Sequence, residues 1–526
     1  MSHFRRMTLG FLLAAFLIIP GPISVASANA GADSMVLKKP TAPAPSLKTP
    51  EPVYQPNWAS LDARPTPQWF RDAKFGIFIC WGLYSVPAWS PKGEYAEWYQ
   101  YALQEKQFGG AVADYHARKY GPDFKYADFA PLFKAELWDP SAWADLVSRS
   151  GAKYMVLTTK HHAGDCLWPS AEASRAYGRP WNTMEMGPRR DIVGELSAAM
   201  RARNIKVGLY YSLYEWYHPL WLTDRPRFVN EHFFPQFKDL VTRYAPDLIW
   251  ADGEWEMDSA LWRTPELLTW LFNTAPNRNS VVINDRWGKD TRLKHGGFLT
   301  TEYGSGLDDD SRAWEEDRGI GMSFGYNSNE DAADYKSAHE IVLMLVDIVS
   351  RGGNLCLDIG PRADGKIPAI MEERLLQIGE WLRRNGEAIY GTRTWIRPCQ
   401  WTAGDLPYIR RSEYKAPYDI FKETIRPPVG QAAKELFFTY KDGALYVLAP
   451  KWPGRRLQIR NLNAPAGAQV TLLGDGRDLP WKSAGPDVAI ELPDYDPAAF
   501  APEYQYIYVF KIAGVKGRDF AAPSGR

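Results

Sequence analysis

Two acidic residues that each follow a strand-like run could together cleave a glycosidic bond. Asp252 closes the apolar run DLIWAD, and Glu302 stands in GGFLTTEYG. In retaining glycoside hydrolysis one carboxylate attacks the anomeric carbon and a second, about 5 Å away, protonates the leaving oxygen. The attacking carboxylate must be ionised, and Arg286 of VVINDRWG supplies a cation expected nearby. Since the chain has 62 acidic residues, composition alone does not select this pair.

A thiol and two adjacent imidazoles also follow strand-like runs. Cys80 ends KFGIFIC, and His161 and His162 follow AKYMVLTTK. Cysteine acyl transfer would need a partnered histidine and an oxyanion hole, of which the sequence gives no sign. Adjacent strand residues point to opposite faces, which disfavours a zinc site made of Cys80, both histidines and Asp165. A disulfide between Cys80 and Cys166 stays open, because spacing cannot establish it. We expect neither a metal nor a cofactor and prefer a substrate-binding role for the thiol.

These groups would meet if the strands that precede them form one parallel sheet. Apolar runs that do not alternate with polar residues predict strands buried on both faces: KFGIFIC, AKYMVLTTK, KVGLYYS, DLIWAD, VVIND and NLCLDIG. Helix-like segments lie between several of them: SAWADLVSRSG, RDIVGELSAAMRARN, EIVLMLVDIVSRGG and MEERLLQIGEWLRRNGEAIY. The alternation predicts a (β/α)8-type, TIM-like barrel over residues 57–392, with its reacting groups where strands end. An open doubly wound sheet is the alternative, but no GxGxxG loop follows the first strand.

Other segments lie on both sides of the predicted barrel. Residues 1–30 contain two arginines, an apolar run and the small-residue pattern Ala-Asn-Ala, which is typical of a secretory signal peptide. Residues 31–56 are rich in proline and predict an extended linker. Short alternating strands with KDG and GDGRD turns predict an all-β sandwich over 393–515. Residues 516–526 are expected to form a flexible tail.

The composition restricts the partners of the exported chain. Lys plus Arg and Asp plus Glu each number 62, and this balance argues against nucleic acid or an anionic membrane as a partner. The 22 Trp and 28 Tyr offer flat faces for stacking on sugar rings, although large folds also bury such residues in their cores. After signal cleavage no run reaches the ~18 apolar residues of a membrane span. We expect a periplasmic or extracellular protein, lysosomal in a eukaryote, with a homo-oligomer left open.

Eight motifs follow one another over about residues 65–395: FGIFICWGLYSVPAW, KYMVLTTKHHAGDCLWPS, RDIVGEL, GLYYSLYEWYHP, PDLIWADGEWE, NDRWG, TTEYG and SFGYN. In this order they resemble the signatures of the α-L-fucosidases of glycoside hydrolase family 29. The β-rich region behind them is similar to the family's architecture. The resemblance implies a retaining exo-glycosidase that removes terminal α-L-fucosyl residues from an oligosaccharide or polysaccharide.

The resemblance also implies the two catalytic roles. Asp252 of the DGEW segment matches the family's nucleophile. Glu302 of TTEYG matches the acid/base. The family places its acid/base less uniformly than its nucleophile, which leaves Glu256, Glu315 and Glu316 as alternatives for the second role.

Other residues match sugar-binding groups of the family. His161 and His162 match a pair that binds sugar hydroxyls. Glu97 and Trp98 of YAEWY match another such pair, and Arg286 matches a residue near the ring oxygen. An apolar wall around the C5 methyl group of the sugar is matched by Phe78, Tyr95, Tyr210, Trp250 and Phe324.

Some residues depart from the family pattern. Cys80 and Trp81 end the first strand in the predicted pocket, and Cys80 stands where most of the family has His. A thiol is a weak hydrogen-bond donor, so the contact to a sugar hydroxyl should weaken. Ala163 and Asp165 replace an acidic residue and a Phe, and we expect them to face the same end of the pocket. These changes suggest a shifted specificity for an α-L-galactoside or for a sulfated or anhydro sugar of an algal or plant polysaccharide. A non-catalytic carbohydrate-binding homologue is the other alternative.

Overall fold

The structure, a computed structural model, describes residues 53–308, 310–409 and 414–517. The predicted signal peptide at 1–30 lies outside these residues, as do most of the linker at 31–56 and most of the tail at 516–526. Within the described part of the chain, no helix is both long and apolar enough to cross a membrane.

Eight parallel strands form the larger sheet. They are β1 (Phe75–Ile79), β2 (Tyr154–Lys160), β3 (Lys206–Ser212), β4 (Leu248–Asp252), β5 (Val282–Ile283), β6 (Leu299–Glu302), β7 (Trp314–Gly319) and β8 (Asn354–Ile359). Their order is β5–β4–β3–β2–β1–β8–β7–β6. The prediction of a TIM-like barrel is confirmed, and each of the six predicted apolar runs contains a strand.

Helices pack around this sheet and link most of its strands. The α-helices are α1 (Trp58–Asp62), α2 (Gln68–Ala73), α3 (Tyr99–Gln104), α4 (Ala111–Tyr120), α5 (Pro140–Arg149), α6 (Ala171–Tyr177), α7 (Ile192–Arg201), α8 (Pro219–Thr223), α9 (Arg225–Phe228), α10 (Phe234–Tyr244), α11 (Ser259–Trp262), α12 (Thr264–Asn273), α13 (Ala338–Ser350), α14 (Ala369–Asn385) and α15 (Ile420–Thr424). A π-helical turn lies at Val229–Phe233, and 3-10 turns lie at Leu83–Ser85, Ala96–Trp98, Phe108–Gly110, Tyr126–Leu132, Gly386–Ala388, Pro497–Ala499 and Pro502–Gln505.

The four helix-like segments of the sequence are α5, α7, α13 and α14. Polar side chains fix where three of them begin. The carboxylate of Asp139 accepts hydrogen bonds from the first amides of α5, Asp191 caps α7, and Ser337 caps α13. Such caps satisfy amide groups that have no partner inside the helix.

The barrel is irregular between β5 and β6. Within the described residues these two strands share no ladder, and the amides of Gly297 and Phe298 instead both donate to the carbonyl of Ile283 (3.0 and 3.1 Å). No helix lies in the described chain between β5 and β7. The regular alternation of strands and helices is therefore interrupted between β5 and β7.

Strand β7 is the polar strand of the barrel and has no counterpart among the predicted apolar runs. Its sequence WEEDRG reads as an exposed segment, yet every residue of it is buried. Glu315 accepts hydrogen bonds from Tyr154 and Trp250, and Glu316 accepts one from Thr301. Such partners allow carboxyl groups to lie inside a barrel.

The C-terminal region is built on antiparallel β-sheets, as predicted, with the short helix α15 between its first two strands. Its strands are β9 (Arg393–Trp401), β10 (Lys434–Lys441), β11 (Ala444–Ala449), β12 (Arg456–Ile459), β13 (Val470–Leu472), β14 (Arg477–Asp478), β15 (Trp481–Ala484), β16 (Asp487–Glu491) and β17 (Tyr508–Ala513). They form an antiparallel sheet in the order β14–β13–β17–β11–β10–β9 and a second in the order β12–β16–β15. Residues from both sheets share one apolar core, including Phe438, Val447, Ile490 and Phe510.

The β-rich region packs on helix α13 through buried charges. The ammonium group of Lys434, in β10, contacts a carboxylate oxygen of Asp347 in α13 and one of Glu423 in α15, each at 2.6 Å. Lys434 is 2% exposed. Charges this deep in a protein are stable only when they are paired.

Candidate active site

One guanidinium joins two carboxylates from different strand ends. Asp252 is the last residue of β4, and Glu302 is the last residue of β6. Arg286, in the loop after β5, donates through Nη1 to Oδ1 of Asp252 and through Nη2 to Oε2 of Glu302, both at 3.0 Å. The structure thus brings together the three residues on which the predicted chemistry depends.

Arg286 is held firmly in this position. Its Nε donates to the hydroxyl of Thr300 (3.0 Å), which itself donates to a carboxylate oxygen of Asp285 (2.7 Å). The guanidinium carbon lies 4.2 Å from the ring centroid of Trp250. The planar group is therefore stacked on one side and hydrogen-bonded along its edges, an arrangement that lysine could not reproduce.

Asp252 is surrounded by donors and positive charge. The hydroxyl of Tyr210 donates to Oδ2 (3.0 Å), and Arg292 lies 3.8 Å from Oδ1. Burial raises the pKa of Asp252, but the charges of Arg286, His162 and Arg292 outweigh it and leave the pKa below its ordinary value. Burial lowers the pKa of His162 to about 4, so that at neutral pH the two arginines carry this effect. Asp252 is consequently ionised, as a nucleophile must be.

Glu302 receives a donor on each carboxylate oxygen. Besides Arg286 on Oε2, the hydroxyl of Tyr95 donates to Oε1 (3.2 Å). Tyr95 in turn contacts the hydroxyl of Tyr414 (2.9 Å), which comes from the chain between β9 and α15. The carboxylate is 13% exposed and faces a cavity.

This cavity has a volume of about 390 Å³ and contains both carboxylates in its wall. The predicted binding residues that line it are Phe78, Cys80, Tyr95, Glu97, Trp98, His161, Tyr210, Trp250, Arg286 and Phe324. Its size and its mixture of aromatic and polar groups are typical of a small-ligand site.

Two predicted residues lie behind this wall. Trp81 is fully buried, packs against Trp143, and donates its indole hydrogen to the carbonyl of Arg362 (2.9 Å). His162 binds the hydroxyl of Ser212 through Nδ1 (2.6 Å) and places Nε2 3.7 Å from Oδ2 of Asp252. Trp81 thus packs behind the end of β1, whereas His162 lies beside Asp252.

Five lining residues were absent from the predicted set: Thr158, Trp255, Arg292, Asp317 and Tyr414. Two of them carried a signal. Thr158 lies on a strand ahead of the histidine pair, and Trp255 lies inside the DGEW motif. Arg292 and Asp317 come from the irregular loop and from the polar strand β7, and Tyr414 comes from the β-rich region, so nothing in the barrel's strand pattern indicates them.

Two groups of aromatic rings together give the cavity an apolar face. Phe78 lies edge-on to Tyr210 and Trp250, with ring centroids 5.8 and 5.5 Å apart. Tyr95 packs against Phe324 at 5.3 Å. An apolar face of this kind suits a deoxy sugar, whose methyl group has no hydrogen bond to lose.

Polar groups stand among these rings. His161 lines the cavity, and its Nδ1 is buried without a hydrogen-bond partner. Burial lowers the pKa of His161 well below its ordinary value, so the imidazole is neutral. Glu97 accepts hydrogen bonds from the amide of Gly325 (2.9 Å) and the hydroxyl of Ser323 (3.3 Å), and burial raises its pKa to about 7. These neutral or half-charged groups can bind hydroxyls without a fixed charge.

The alternative acid residues occupy different surroundings. Glu256 is about half-exposed and pairs with Arg225 at 3.3 Å. Glu315 and Glu316 are fully buried within β7, and burial raises the pKa of each to about 7. Of the four candidates, Glu302 is the one in the cavity wall of the described structure.

Cys80 lies in the cavity wall with its sulfur 3.2 Å from the hydroxyl of Tyr84. Burial raises the pKa of Cys80 well above its ordinary value, so that it is a neutral thiol. Neither Cys80 nor Cys166 is part of a disulfide, so the pairing left open for them is not formed. Ala163 and Asp165 are buried and are not among the described residues that line the cavity.

A second titratable cluster lies outside the cavity and consists of Glu215, His218 and His232. Its groups already have other partners in the described structure. The ammonium of Lys160 already binds Glu215 (2.8 Å), as does Nε2 of His232 (2.7 Å). Nδ1 of His218 accepts from the amide of Leu220 (3.0 Å), which leaves the proton on Nε2. Glu215 instead supplies the negative charge that pairs with the buried ammonium of Lys160.

Known proteins resemble the chain over nearly all of its length. The sequence model of the family described as alpha-L-fucosidase matches residues 42–387, and that of the alpha-L-fucosidase C-terminal domain matches residues 430–513. The chain is 40% identical to a tissue alpha-L-fucosidase of Homo sapiens over 88% of its length and 92% of the relative's. It is 38% identical to an alpha-L-fucosidase of Dictyostelium discoideum over 88% of its length and 96% of the relative's.

Solved structures agree with these similarities. A crystal structure of Thermotoga maritima alpha-fucosidase superimposes with a TM-score of 0.69 at 35% identity, covering 88% of this chain and 100% of that one. A structure of the Thermotoga maritima enzyme in complex with fucose matches with the same TM-score at 34% identity and the same coverage.

Proposed function

The chain belongs to the α-L-fucosidase family, a family of glycoside hydrolases, and from that premise we propose that it is an exported retaining exo-glycosidase. In this proposal it hydrolyses terminal α-L-fucosyl residues of glycans, with Asp252 as nucleophile and Glu302 as acid/base. The observation that carries the proposal is the guanidinium of Arg286, which holds both carboxylates in the wall of one cavity.

In the first step an oxygen of Asp252 bonds to the anomeric carbon of the sugar. The bond from that carbon to the leaving oxygen breaks, and Glu302 gives its proton to this oxygen. The products are a glycosyl ester of Asp252 and a free alcohol. Arg286 and Tyr210 favour the ionised attacker, because they already donate to its carboxylate.

In the second step Glu302 is a carboxylate and takes a proton from water. The water oxygen bonds to the anomeric carbon while the ester bond to Asp252 breaks. Two inversions leave the configuration unchanged, so the enzyme releases the α-anomer first. Glu302 ends the cycle protonated and Asp252 ends it ionised.

The remaining cavity residues provide the recognition of the sugar. Glu97, Trp98 and His161 supply polar groups for ring hydroxyls, and the aromatic face described above receives the C5 methyl. A hydroxymethyl group in place of the methyl would lose its hydrogen bonds to water when it packed against these aromatic rings. Discrimination through a single small group is worth about 1–3 kcal/mol.

Export and domain division complete the proposal. The leader at 1–30 supports secretion, with the linker at 31–56 following it. We place the catalytic domain at 57–392 and the β-sandwich at 393–515, because β8 and α14 precede the division and the antiparallel sheets follow it.

The proposal is tested with the variants Asp252→Ala and Glu302→Ala. On nitrophenyl α-L-fucoside we expect kcat/KM to fall by at least about 10³-fold for Asp252→Ala. Azide should restore turnover and give the β-azide with Asp252→Ala but the α-azide with Glu302→Ala, because it replaces the nucleophile in one and the deprotonated water in the other. The anomer released first by the native enzyme, followed by NMR, should be α.

Glu256→Ala serves as the matched control, since Glu256 is a half-exposed carboxylate that pairs with Arg225. It should keep native kinetics. Release of the β-anomer, or full activity of Asp252→Ala, would contradict the proposal.

One observation favours a shifted specificity as a second candidate. The neutral thiol of Cys80 lines the cavity, where it offers a sugar hydroxyl only a weak donor. If the pocket is adapted to a modified sugar, Cys80→His should raise kcat/KM on plain nitrophenyl α-L-fucoside. Equal hydrolysis by the native enzyme and the variant, measured side by side, would remove support for this candidate.

A further inference from the structure

A dipeptide of the C-terminal region reaches the acid/base side of the cavity. Tyr414 and Lys415 lie between β9 and α15. The hydroxyl of Tyr414 lies 2.9 Å from that of Tyr95, and the ammonium of Lys415 lies 4.3 Å from the centroid of the Tyr95 ring. The amide of Lys415 donates to the carbonyl of Glu302 (3.3 Å). Three contacts from two adjacent residues thus converge on Glu302 and its hydrogen-bond donor.

The chemistry of these groups fixes the direction of the hydrogen bonds. The hydroxyl of Tyr95 donates its one proton to Oε1 of Glu302, which can accept it both in the carboxylate and as the carbonyl oxygen of the acid. That hydroxyl can then only accept from Tyr414, which donates. Burial raises the pKa of Tyr95, and burial raises that of Tyr414 to about 12, so both hydroxyls keep their protons. A chain of two phenols therefore ends on the carboxylate.

The two phenols act on the carboxyl oxygen of Glu302 that Arg286 does not bind. Arg286 binds Oε2 and Tyr95 binds Oε1, and together they define the plane of the carboxyl group. A hydroxyl that accepts a hydrogen bond becomes a better donor, so Tyr414 strengthens the contact that Tyr95 makes. Tyr414 is 55% exposed, which leaves its ring little apolar burial to gain at this place. Its hydroxyl contact accounts for its position better than packing does.

We propose that Tyr414 is a positioning residue for the acid/base, acting through Tyr95 to orient the carboxyl group of Glu302 for proton transfer to the leaving oxygen. The inference rests on the proposed function, because it takes Glu302 to be the proton donor. It assigns a part of the catalytic site to the β-rich region of the chain.

The inference predicts a dependence on the leaving group. The methoxy oxygen must receive a proton from the enzyme as the glycosidic bond breaks, whereas fluoride leaves without being protonated. Misorientation of Glu302 should therefore slow the hydrolysis of methyl α-L-fucoside and leave the hydrolysis of α-L-fucosyl fluoride unchanged. Both leaving groups are too small to stack on the ring of Tyr414, so that lost binding of a larger leaving group cannot imitate the effect.

The experiment compares the native enzyme with Tyr414→Phe, which removes only the hydroxyl. We expect kcat/KM on the methyl glycoside to fall roughly 3- to 10-fold, as for one net hydrogen bond, through kcat rather than KM. On the fluoride it should be unchanged. Tyr408→Phe is the matched control, because Tyr408 lies in the same segment and is 88% exposed, and it should match the native enzyme on both substrates.

Two further variants separate this inference from the proposed function. Glu302→Ala should lose activity selectively on the methyl glycoside, and Tyr414→Phe added to it should have no further effect, because the hydroxyl acts through Glu302. If Glu302→Ala shows no selectivity, the proposed acid/base fails and the inference falls with it. If Glu302→Ala is selective but Tyr414→Phe is native-like, or slows both substrates equally, the inference alone is overturned.

Discussion

Arg286 decides the electrostatics of the site at the scale of single residues. Its charge faces Asp252 and Glu302 at equal distances, and its position depends on Thr300 and the ring of Trp250. Burial by itself would raise the pKa of Asp252, so an ionised nucleophile in this cavity depends on neighbouring cations.

Arg286→Met should therefore move the acidic limb of the pH profile of kcat/KM to higher pH. Activity is lost as the pH falls through the pKa of Asp252, and removing the main cation leaves burial to raise that pKa. The measurement is kcat/KM on nitrophenyl α-L-fucoside between pH 3 and 8. Arg292→Met should cause a smaller shift, because Arg292 lies 3.8 Å from Asp252 and is partly exposed. An acidic limb that stays in place in Arg286→Met would contradict this account.

At the scale of secondary-structure elements, strand β7 is unusual because it carries buried carboxyl groups. It places Glu315 and Glu316 inside the barrel, where burial raises the pKa of each to about 7. A carboxyl group with a raised pKa binds a proton in the folded state that it releases in the unfolded state. Its contribution to stability is present below about pH 4.5 and is lost as the pH rises through about 7.

Glu315→Gln should abolish this pH dependence for one group. From pH 4.5 to 7 the native protein loses roughly 3 kcal/mol through Glu315, which the amide cannot lose. The difference in Tm between variant and native protein should therefore shift in favour of the variant between pH 5 and 7.5. Thermal unfolding followed by circular dichroism at both pH values measures it. A Tm difference that does not change with pH would show that Glu315 is ionised in the folded protein.

The same strand shows what the sequence could predict. Strands β1 to β5 and β8 were predictable because they are apolar without alternation, and the groups at the ends of β1, β2, β3 and β4 were predictable with them. Strand β7 was not, because its carboxyl groups find buried partners such as Tyr154 and Thr301, and pairing across a barrel is invisible in a linear sequence. Tyr414 was missed for a similar reason, since it reaches the cavity from the distant segment between β9 and α15.

At the scale of the whole molecule, the β-rich region and the barrel are joined by the buried ammonium of Lys434. Together with Arg351, which contacts Asp347 at 2.8 Å, it balances the charges of Asp347 in α13 and Glu423 in α15. The same region supplies Tyr414 to the cavity, so attachment of the two parts bears on the site as well as on stability.

Lys434→Met should destabilise the protein strongly. It leaves Glu423 without the ammonium group that it binds and Asp347 with Arg351 as its remaining cation, a loss of about 3–5 kcal/mol by analogy with broken buried pairs. Calorimetry should show a markedly lower Tm. Lys422→Met is the matched control, because its contact with Asp419 at 3.0 Å is exposed and such pairs contribute about 0–1 kcal/mol. Equal Tm values for the two variants would contradict a role for Lys434 in holding the parts together.

The irregular stretch between β5 and β7 has an evolutionary consequence. Asp252 ends a strand paired along its length with β3, where an insertion would slip the register and misplace the carboxylate. Glu302 follows a connection without helices, whose exposed positions Lys289, Leu293 and Lys294 are places where residues can be added or deleted. Under the proposed mechanism, descendants of one ancestral gene can thus keep the attacking carboxylate at one aligned position while the position of the proton-donating carboxylate varies, and an alignment anchored on the first residue alone will misplace the second.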